Sequence, residues 1–117
     1  MKAISIISIP VTDQQAAKEF YLKLGFKLLA EAPFDNQKWI QLAFPGQEAV
    51  SITLVTWFPN MQPGCVNGFV INTDNLDKEI EDLNVKGIAV GKIDQTPWGR
   101  FVAVTDPDGN RLSLHQA

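Results

Sequence analysis

The last predicted strand of the chain, NRLSLHQ at residues 110–116, carries side chains that can do chemistry. Side chains two positions apart on a strand share a face, so Ser113 and His115 lie together while Leu112 and Leu114 lie opposite. An imidazole can ligate a metal, move a proton near neutral pH or hydrogen-bond a bound molecule. Because His115 is the only histidine and lies near the C-terminus, the alternative is a half-solvated ring without a role.

Two carboxylates precede this strand in the segment TDPDGN, residues 105–110. They resemble an acid/base pair, but proline presets the backbone for a tight turn and glycine accepts the left-handed conformation that often follows one. We therefore interpret Asp106 and Asp108 as turn residues that position the strand, not as catalytic carboxylates.

Large aromatic residues stand at predicted strand ends or in loops, namely Phe34, Trp57, Phe58 and Trp98. Such residues can close the mouth of a site and stack on a flat or cationic ligand, or can serve packing and subunit contacts instead. Arg100 begins an otherwise apolar predicted strand, so it is either an anion-binding group in the site or a solvated charge at a sheet edge.

The elements that position these residues follow one order twice. The first half predicts a strand at 3–9, a helix within 11–25, and strands at 26–34, 38–44 and 49–57. The second half predicts a strand at 66–71, a helix within 73–87, and strands at 88–93, 98–105 and 110–116. Thr12 and Gln15 have the spacing of a capping box, and Gly25 has the position of a helix C-terminal glycine.

The repeated order indicates an internal duplication. Thr12-Asp13 recurs as Thr73-Asp74 after 61 residues, and Gly25 recurs as Gly87 after 62. We predict one α+β domain of two βαβββ modules, residues 1–56 and 66–117, joined by a connector at 57–65. One module has too little core to stand alone, so the two are expected to form a curved mixed sheet that encloses a cup.

Composition excludes several classes of protein. A chain of 117 residues with 45% hydrophobic and 20% charged residues is typical of one globular domain, and a net charge of −3 gives no reason to bind nucleic acid. No apolar run approaches the roughly 20 residues of a membrane helix, and the N-terminus lacks a cleavage pattern. Cys65 is the only cysteine, so we expect an inert thiol and a cytoplasmic location.

The paired modules, the opening VTDQQAAKEFYLKLGFKLL and the closing DPDGNRLSL resemble the vicinal oxygen chelate superfamily. This group includes glyoxalase, extradiol dioxygenases, fosfomycin resistance transferases and bleomycin resistance proteins. The resemblance covers essentially the whole chain. It implies the cup-shaped fold and a homodimer, because relatives often pair subunits.

The resemblance also implies where a metal would bind. Metal-dependent members hold a divalent ion with His, Gln or Glu from the first and last strand of each half. The corresponding residues here are Ile6, Thr53, Asn67 and Ser113. Alkyl and hydroxyl groups are poor ligands, and a shift of two residues offers Ser8, Ser51 and His115, of which only the imidazole is suitable. We therefore expect no metal and no cofactor.

These considerations predict a protein that binds a small organic ligand non-covalently in an aromatic-rimmed cup, as bleomycin resistance proteins do. The expected ligand-binding residues are Ser8, Thr53, Asn67, Ser113, His115, Trp57, Trp98 and Arg100. The alternative is a metal-dependent glyoxalase-like lyase or isomerase, a dioxygenase or a resistance transferase that recruits its ion through His115 and Asn67. The sequence leaves open whether the protein is an enzyme.

Overall fold

A computed structural model describes residues 1–117 and confirms the α+β fold of two βαβββ modules. The first module consists of β1 (Ile6–Pro10), α1 (Gln14–Lys23), β2 (Lys27–Phe34), β3 (Gln37–Ala43) and β4 (Ser51–Val55). The second consists of β5 (Phe69–Asn72), α2 (Leu76–Val85), β6 (Asp94–Thr96), β7 (Gly99–Thr105) and β8 (Arg111–Gln116). Neither helix has the length and apolar character that crossing a bilayer requires.

Each module forms its own mixed four-stranded sheet. The strand orders are β1-β4-β3-β2 and β5-β8-β7-β6, with β1 parallel to β4 and β5 parallel to β8. No hydrogen-bonded strand pair joins the two sheets, so one chain does not form the single enclosing sheet that we expected. Consequently β1 and β5 are edge strands with one unpaired side each.

The helix starts differ from the expectation by one or two residues. The predicted capping box of Thr12 and Gln15 is wrong, because Asp13 is the N-cap and its carboxylate accepts from the backbone N–H of Gln15 and Ala16. The N-cap of α2 is Asn75, which lies 62 residues after Asp13. The helix N-cap and the glycine after the helix therefore both recur after 62 residues in the second module.

The predicted strand at 88–93 is also wrong. Only an isolated bridge between Val90 and Val104 forms there, and β6 begins at Asp94. Ile88 is buried in the hydrophobic cluster beneath α2, with Val90 packed against that cluster. The apolar run thus fills the core of the second module instead of extending its sheet.

Helix α1 belongs to the cores of both modules. Phe20 and Leu24 pack against the cluster of the first module and also against that of the second. Leu112 of β8 in turn belongs to the first cluster. The modules therefore meet through the helix-covered sides of their sheets.

The turn before β8 has the structure that its sequence predicted. Asp106 accepts hydrogen bonds from the backbone N–H of Asp108 and of Asn110, each at 2.9 Å, and Gly109 has a φ of 96°. Asp106 and Asn110 are buried. The interpretation of Asp106 and Asp108 as turn residues is confirmed.

This turn also fastens the second module to the first. The Tyr21 hydroxyl donates to Asp106 Oδ2 at 2.9 Å, and the Asn110 side-chain amide donates to the carbonyl of Pro10 at 2.8 Å. Asp108 accepts from the backbone N–H of Thr12 at 3.0 Å. We call Tyr21, Asp106 and Asn110 the module joint. Because its polar groups are buried and paired, the relative placement of the modules is strongly specified.

The connector is held by the same turn. Gly64 has a φ of 90°, and a Cβ placed on it would lie 2.5 Å from the carbonyl oxygen of Asp108. The backbone N–H of Val66 donates to Asn110 Oδ1 at 3.1 Å. Only glycine fits at position 64 without moving one of the two backbones.

Candidate ligand-binding site

The first sheet has one face packed on α1 and one face without a helix. Strand alternation places the buried Ile40, Leu42 and Leu54 on the helix side. The opposite surface, here called face A, consists of Ile6, Ser8, Ala30, Ala32, Phe34, Trp39, Gln41, Ser51 and Thr53. Lys27 lies at the end of this face beside Ala43, and its ammonium group pairs with Glu48 at 2.6 Å.

A chain of hydrogen bonds runs across face A. The Trp39 indole N–H donates to Gln41 Oε1 at 3.1 Å, and Gln41 Nε2 donates to the Ser51 hydroxyl at 2.8 Å. The Thr53 hydroxyl donates to the carbonyl of Ile40 at 2.9 Å and is buried. These contacts engage the polar side chains within the protein, while the Trp39 ring stays partly exposed.

Aromatic rings continue face A at its rim. The Phe34 and Trp57 ring centroids are 5.0 Å apart, and those of Trp57 and Phe58 are 6.2 Å apart. Phe34 is 43% exposed and Phe58 is 39% exposed. Three of the four predicted rim aromatics therefore form one cluster beside Trp39's sheet, while Trp98 belongs to the other module.

The second sheet has an equivalent helix-free surface, here called face B. Val102, Val104 and Leu114 pack in the cluster beneath α2, as the alternation of β7 and β8 requires. Face B consists of Val70, Asn72, Phe101, Ala103, Ser113 and His115, and the registers put Asp94 beside Phe101 and Arg111 beside Thr105 on the same side. The predicted separation of Ser113 and His115 from the two leucines of β8 is confirmed.

His115 is held on three sides. Its Nδ1 lies 2.9 Å from Asn72 Oδ1, its Nε2 lies 2.9 Å from the carbonyl oxygen of Trp98, and its ring stacks on Phe101 at 4.4 Å. A carbonyl can only accept, so Nε2 carries a hydrogen. The strand end is also tied, because Gln116 Oε1 accepts from the Leu76 N–H at the start of α2. His115 is therefore an ordered ring whose two nitrogens are both engaged.

Arg100 lies on the other side of the second sheet. Its guanidinium makes a bidentate pair with Asp77 of α2, with contacts of 2.7 and 3.2 Å. Hydrogen bonding to Arg100 lowers the pKa of Asp77, and the same contact raises the pKa of Arg100. The structure thus separates Arg100 from His115 and places it on the helix side of the sheet.

The other predicted site residues are brought together only in part. Ser8 lies beside Thr53 on face A, but Asn67 precedes β5, and the residue beside Ser113 in that strand is Val70. Trp98 is 76% exposed in the turn between β6 and β7, where only its carbonyl reaches His115.

Four polar or aromatic contributors to the faces were not singled out from the sequence, namely Trp39, Gln41, Asn72 and Phe101. The signal for the first two was the alternation of KWIQLAF, whose isoleucine and leucine mark the core side. The signal for Asn72 appears only in the register that sets it beside His115.

The divalent metal of metal-dependent relatives does not fit these residues. Ile6 has no donor atom, the Thr53 hydroxyl is committed to a backbone carbonyl, and Val70 stands beside Ser113. No group of three or more His, Cys, Asp or Glu side chains lies close enough together to hold a metal ion. The positions that the resemblance assigns to a metal therefore offer too few suitable donor groups.

Within one chain the two faces do not contact each other. The side-chain hydrogen bonds between the modules involve the closing turn, Tyr21, the backbone near α1 and Lys86, and the hydrophobic clusters contain no residue of either face. The edges of β1 and β5 border a cleft of about 940 Å³. Ile6 is 41% exposed and Val70 is 50% exposed. Each chain therefore keeps face A and face B apart from each other.

Fold and sequence together define the class of protein. The chain belongs to the Glyoxalase/Bleomycin resistance protein/Dioxygenase superfamily, whose family model matches residues 3–114. The resemblance to the vicinal oxygen chelate superfamily is confirmed.

Individual relatives span nearly the whole chain. It is similar to TnmS3, an antibiotic binding protein from Streptomyces sp. CB03234, with 41% identity, a TM-score of 0.93, and coverage of 99% of this chain and 96% of that chain. A glyoxalase/bleomycin resistance protein from the same organism is 42% identical, with a TM-score of 0.86 and coverage of 97% and 100%. YetH of Bacillus subtilis is 30% identical over 122 residues, covering 99% of each chain.

Proposed function

We propose that this protein binds a small organic molecule of the kind represented by antibiotics, without a metal and without chemical conversion. The observation that carries the proposal is a helix-free face bearing Trp39 and rimmed by Phe34, Trp57 and Phe58, in a family member whose donor groups do not suit a metal. The similarity to TnmS3, an antibiotic binding protein, supports the same class of ligand. We assign contact roles to Ser8, Trp39 and Trp57 on the first module, and to Ser113, His115 and Trp98 on the second.

A homodimer is part of the proposal. Edge strands with unpaired backbone groups and apolar side chains are templates for pairing, and both β1 and β5 fit this description. If β1 of one chain pairs with β5 of its partner, face A of the first and face B of the second become one continuous surface. That arrangement would enclose a ligand that a single open face cannot surround.

Sedimentation velocity tests the dimer. Ile6→Lys places a charge on the edge of β1, and we expect it to yield monomers at concentrations where the unmodified protein is dimeric. Val85→Lys is the matched control, because Val85 is 84% exposed at the end of α2 and away from both edges. A monomeric unmodified protein, or dissociation by both variants alike, contradicts the proposed assembly.

Ligand binding is tested by NMR of the tryptophan indole N–H signals. All three tryptophans lie on or beside the two faces. Aromatic antibiotics that bind should shift the Trp39 and Trp57 signals, with affinity unchanged by a chelator. Trp39→Leu should weaken binding by up to about tenfold, since an aromatic pair contributes about 0.5–1.5 kcal/mol beyond burial. Leu22→Ala on the exposed side of α1 should not.

A further inference from the structure

We infer that His115 is a positioning residue of the ligand site, which acts by fixing the turn that carries Trp98. This inference rests on the proposed function, in which Trp98 contacts the ligand, and it adds a second role for the ring of His115. It follows from the hydrogen bonds of the turn, from the close approach of Gly99 to β8 and from the exposure of the Trp98 side chain.

The backbone of Trp98 is hydrogen-bonded at both of its polar groups. Its N–H donates to the Thr96 hydroxyl oxygen at 3.1 Å, and that hydroxyl donates to the carbonyl of Gly99 at 2.7 Å. The Trp98 carbonyl accepts from Nε2 of His115 at 2.9 Å. The first two hydrogen bonds lie within the turn between β6 and β7. The third is the one that joins Trp98 to β8.

Gly99 allows the turn to come this close to β8. Its φ is 124°, and a Cβ placed on it would collide with the carbonyl oxygen of Gln116 and lie 2.9 Å from His115 Nε2. Because the collision involves the backbone of β8, a side chain at position 99 would displace the turn. The hydrogen bond between His115 and the Trp98 carbonyl therefore depends on glycine at this position.

His115 is itself fixed by neighbouring strands. Its ring stacks on Phe101 of β7 with a centroid distance of 4.4 Å, and its Nδ1 lies 2.9 Å from Asn72 Oδ1 of β5. Its backbone carbonyl accepts from the Thr73 N–H at 2.8 Å. Since both ring nitrogens are engaged within the protein, the ring has no polar group left for a ligand. The polar chemistry of His115 thus serves Trp98 and Asn72.

Trp98 combines this fixed backbone with a side chain that is 76% exposed. A tryptophan ring offers a large aromatic surface to a flat ligand. Ordering a mobile loop during binding weakens affinity, whereas a loop that is already ordered avoids this cost. The hydrogen bond from His115 therefore raises affinity by keeping the turn of Trp98 in place before the ligand arrives.

Two substitutions of His115 separate its hydrogen-bond donor from the rest of the ring. His115→Leu removes the donor, whereas His115→Gln keeps a side-chain N–H. Dissociation constants for 2-naphthamide come from NMR titration of the tryptophan indole signals of the full-length protein. We expect His115→Leu to weaken binding about fivefold and to lower the heteronuclear NOE of the Trp98 backbone amide. His115→Gln should retain most of the affinity and of the NOE, and Leu22→Ala on α1 should change neither.

Gly99→Ala provides an independent arm, because it displaces the turn and leaves the side chain of His115 unchanged. We expect the same two effects, namely a lower NOE at Trp98 and binding of 2-naphthamide that is weaker by about fivefold. An unchanged NOE at Trp98 in both His115→Leu and Gly99→Ala would overturn the inference.

A double-mutant cycle with Trp98→Ala tests whether His115 acts through Trp98. If it does, His115→Leu should weaken binding of 2-naphthamide by less than about twofold once Trp98 is replaced. A full loss in the Trp98→Ala background would show that His115 acts by its own contact, which overturns the inference and leaves the proposed function intact. A probe that shifts the Trp39 and Trp57 signals without moving that of Trp98 has the same meaning. If no indole signal shifts up to the solubility limit of the probe, the proposed function fails as well.

Discussion

Replacement of Tyr21 by phenylalanine tests whether the module joint stabilises the fold as its geometry indicates. Tyr21 has no exposed surface, and its hydroxyl donates to Asp106 Oδ2 at 2.9 Å. The substitution removes only this hydroxyl, and Asp106 Oδ2 keeps its bond from the Asn110 amide. A hydrogen bond to a charged acceptor contributes about 1.5–3 kcal/mol, so we expect a loss of about 2 kcal/mol. For a domain of this size that corresponds to a fall in Tm of about 8 °C.

Urea denaturation at one fixed protein concentration measures this loss, since self-association would change the apparent stability. The midpoint should fall with an unchanged slope. A double-mutant cycle with Asp106→Asn should give a coupling free energy of about 1–2 kcal/mol. A loss below about 0.5 kcal/mol, or a coupling near zero, would refute the interpretation of Tyr21 and Asp106 as a joint.

The hydrogen bond between Tyr21 and Asp106 also predicts that the free energy of unfolding falls at alkaline pH. Burial, followed by the negative charge of Asp106, raises the pKa of Tyr21 in the folded protein. The pKa of Tyr21 in the folded protein exceeds the unfolded value of about 10. The contribution of Tyr21 to the free energy of unfolding is therefore fully present below that pH and is lost as pH rises above it. The unmodified protein should then lose up to about 1.4 kcal/mol per pH unit more than Tyr21→Phe does. Parallel stability curves for the two proteins above that pH would contradict the assignment.

Two further substitutions separate structural from ligand-binding roles. Arg100→Ala should lower stability by at most about 1 kcal/mol, because its pair with Asp77 is exposed, and should leave ligand affinity unchanged; a clear loss of affinity in the NMR titration would place Arg100 in the site after all. Gly64→Ala should cost about 3 kcal/mol by urea denaturation, since its Cβ would collide with the Asp108 backbone. Gly87→Ala, with a φ of 79° but open space around it, should cost only about 1–2 kcal/mol, and equal losses would argue against the contact.

The elements with strong local signals were predictable. The two helices, their terminal glycines and the closing turn follow from 3.6-residue periodicity and from residues with restricted backbone preferences, and all of these depend on neighbours in sequence. The prediction of a strand at 88–93 was wrong because an apolar run of that length can form either a strand or a loop that fills the core. Only packing beneath α2 decided between them.

The residues on each face could also be predicted from the sequence, because alternation assigns every strand residue to one of two sides once the core side is known. Alternation does not say which strand stands beside which. Asn67 came from the spacing that the resemblance implies, whereas the register sets Val70 beside Ser113, and Arg100 lies on the side of its sheet that faces α2.

The sequence by itself determined the duplication, the elements and the poor supply of metal ligands, because these depend on residue type and local order. Tertiary structure decided that each module makes its own sheet, that the modules meet through α1 and the closing turn, and that His115 is held by Asn72 and Trp98. These features require contacts between residues as far apart as Tyr21 and Asp106. Such contacts form only when burial of apolar surface offsets the entropy of bringing distant segments together.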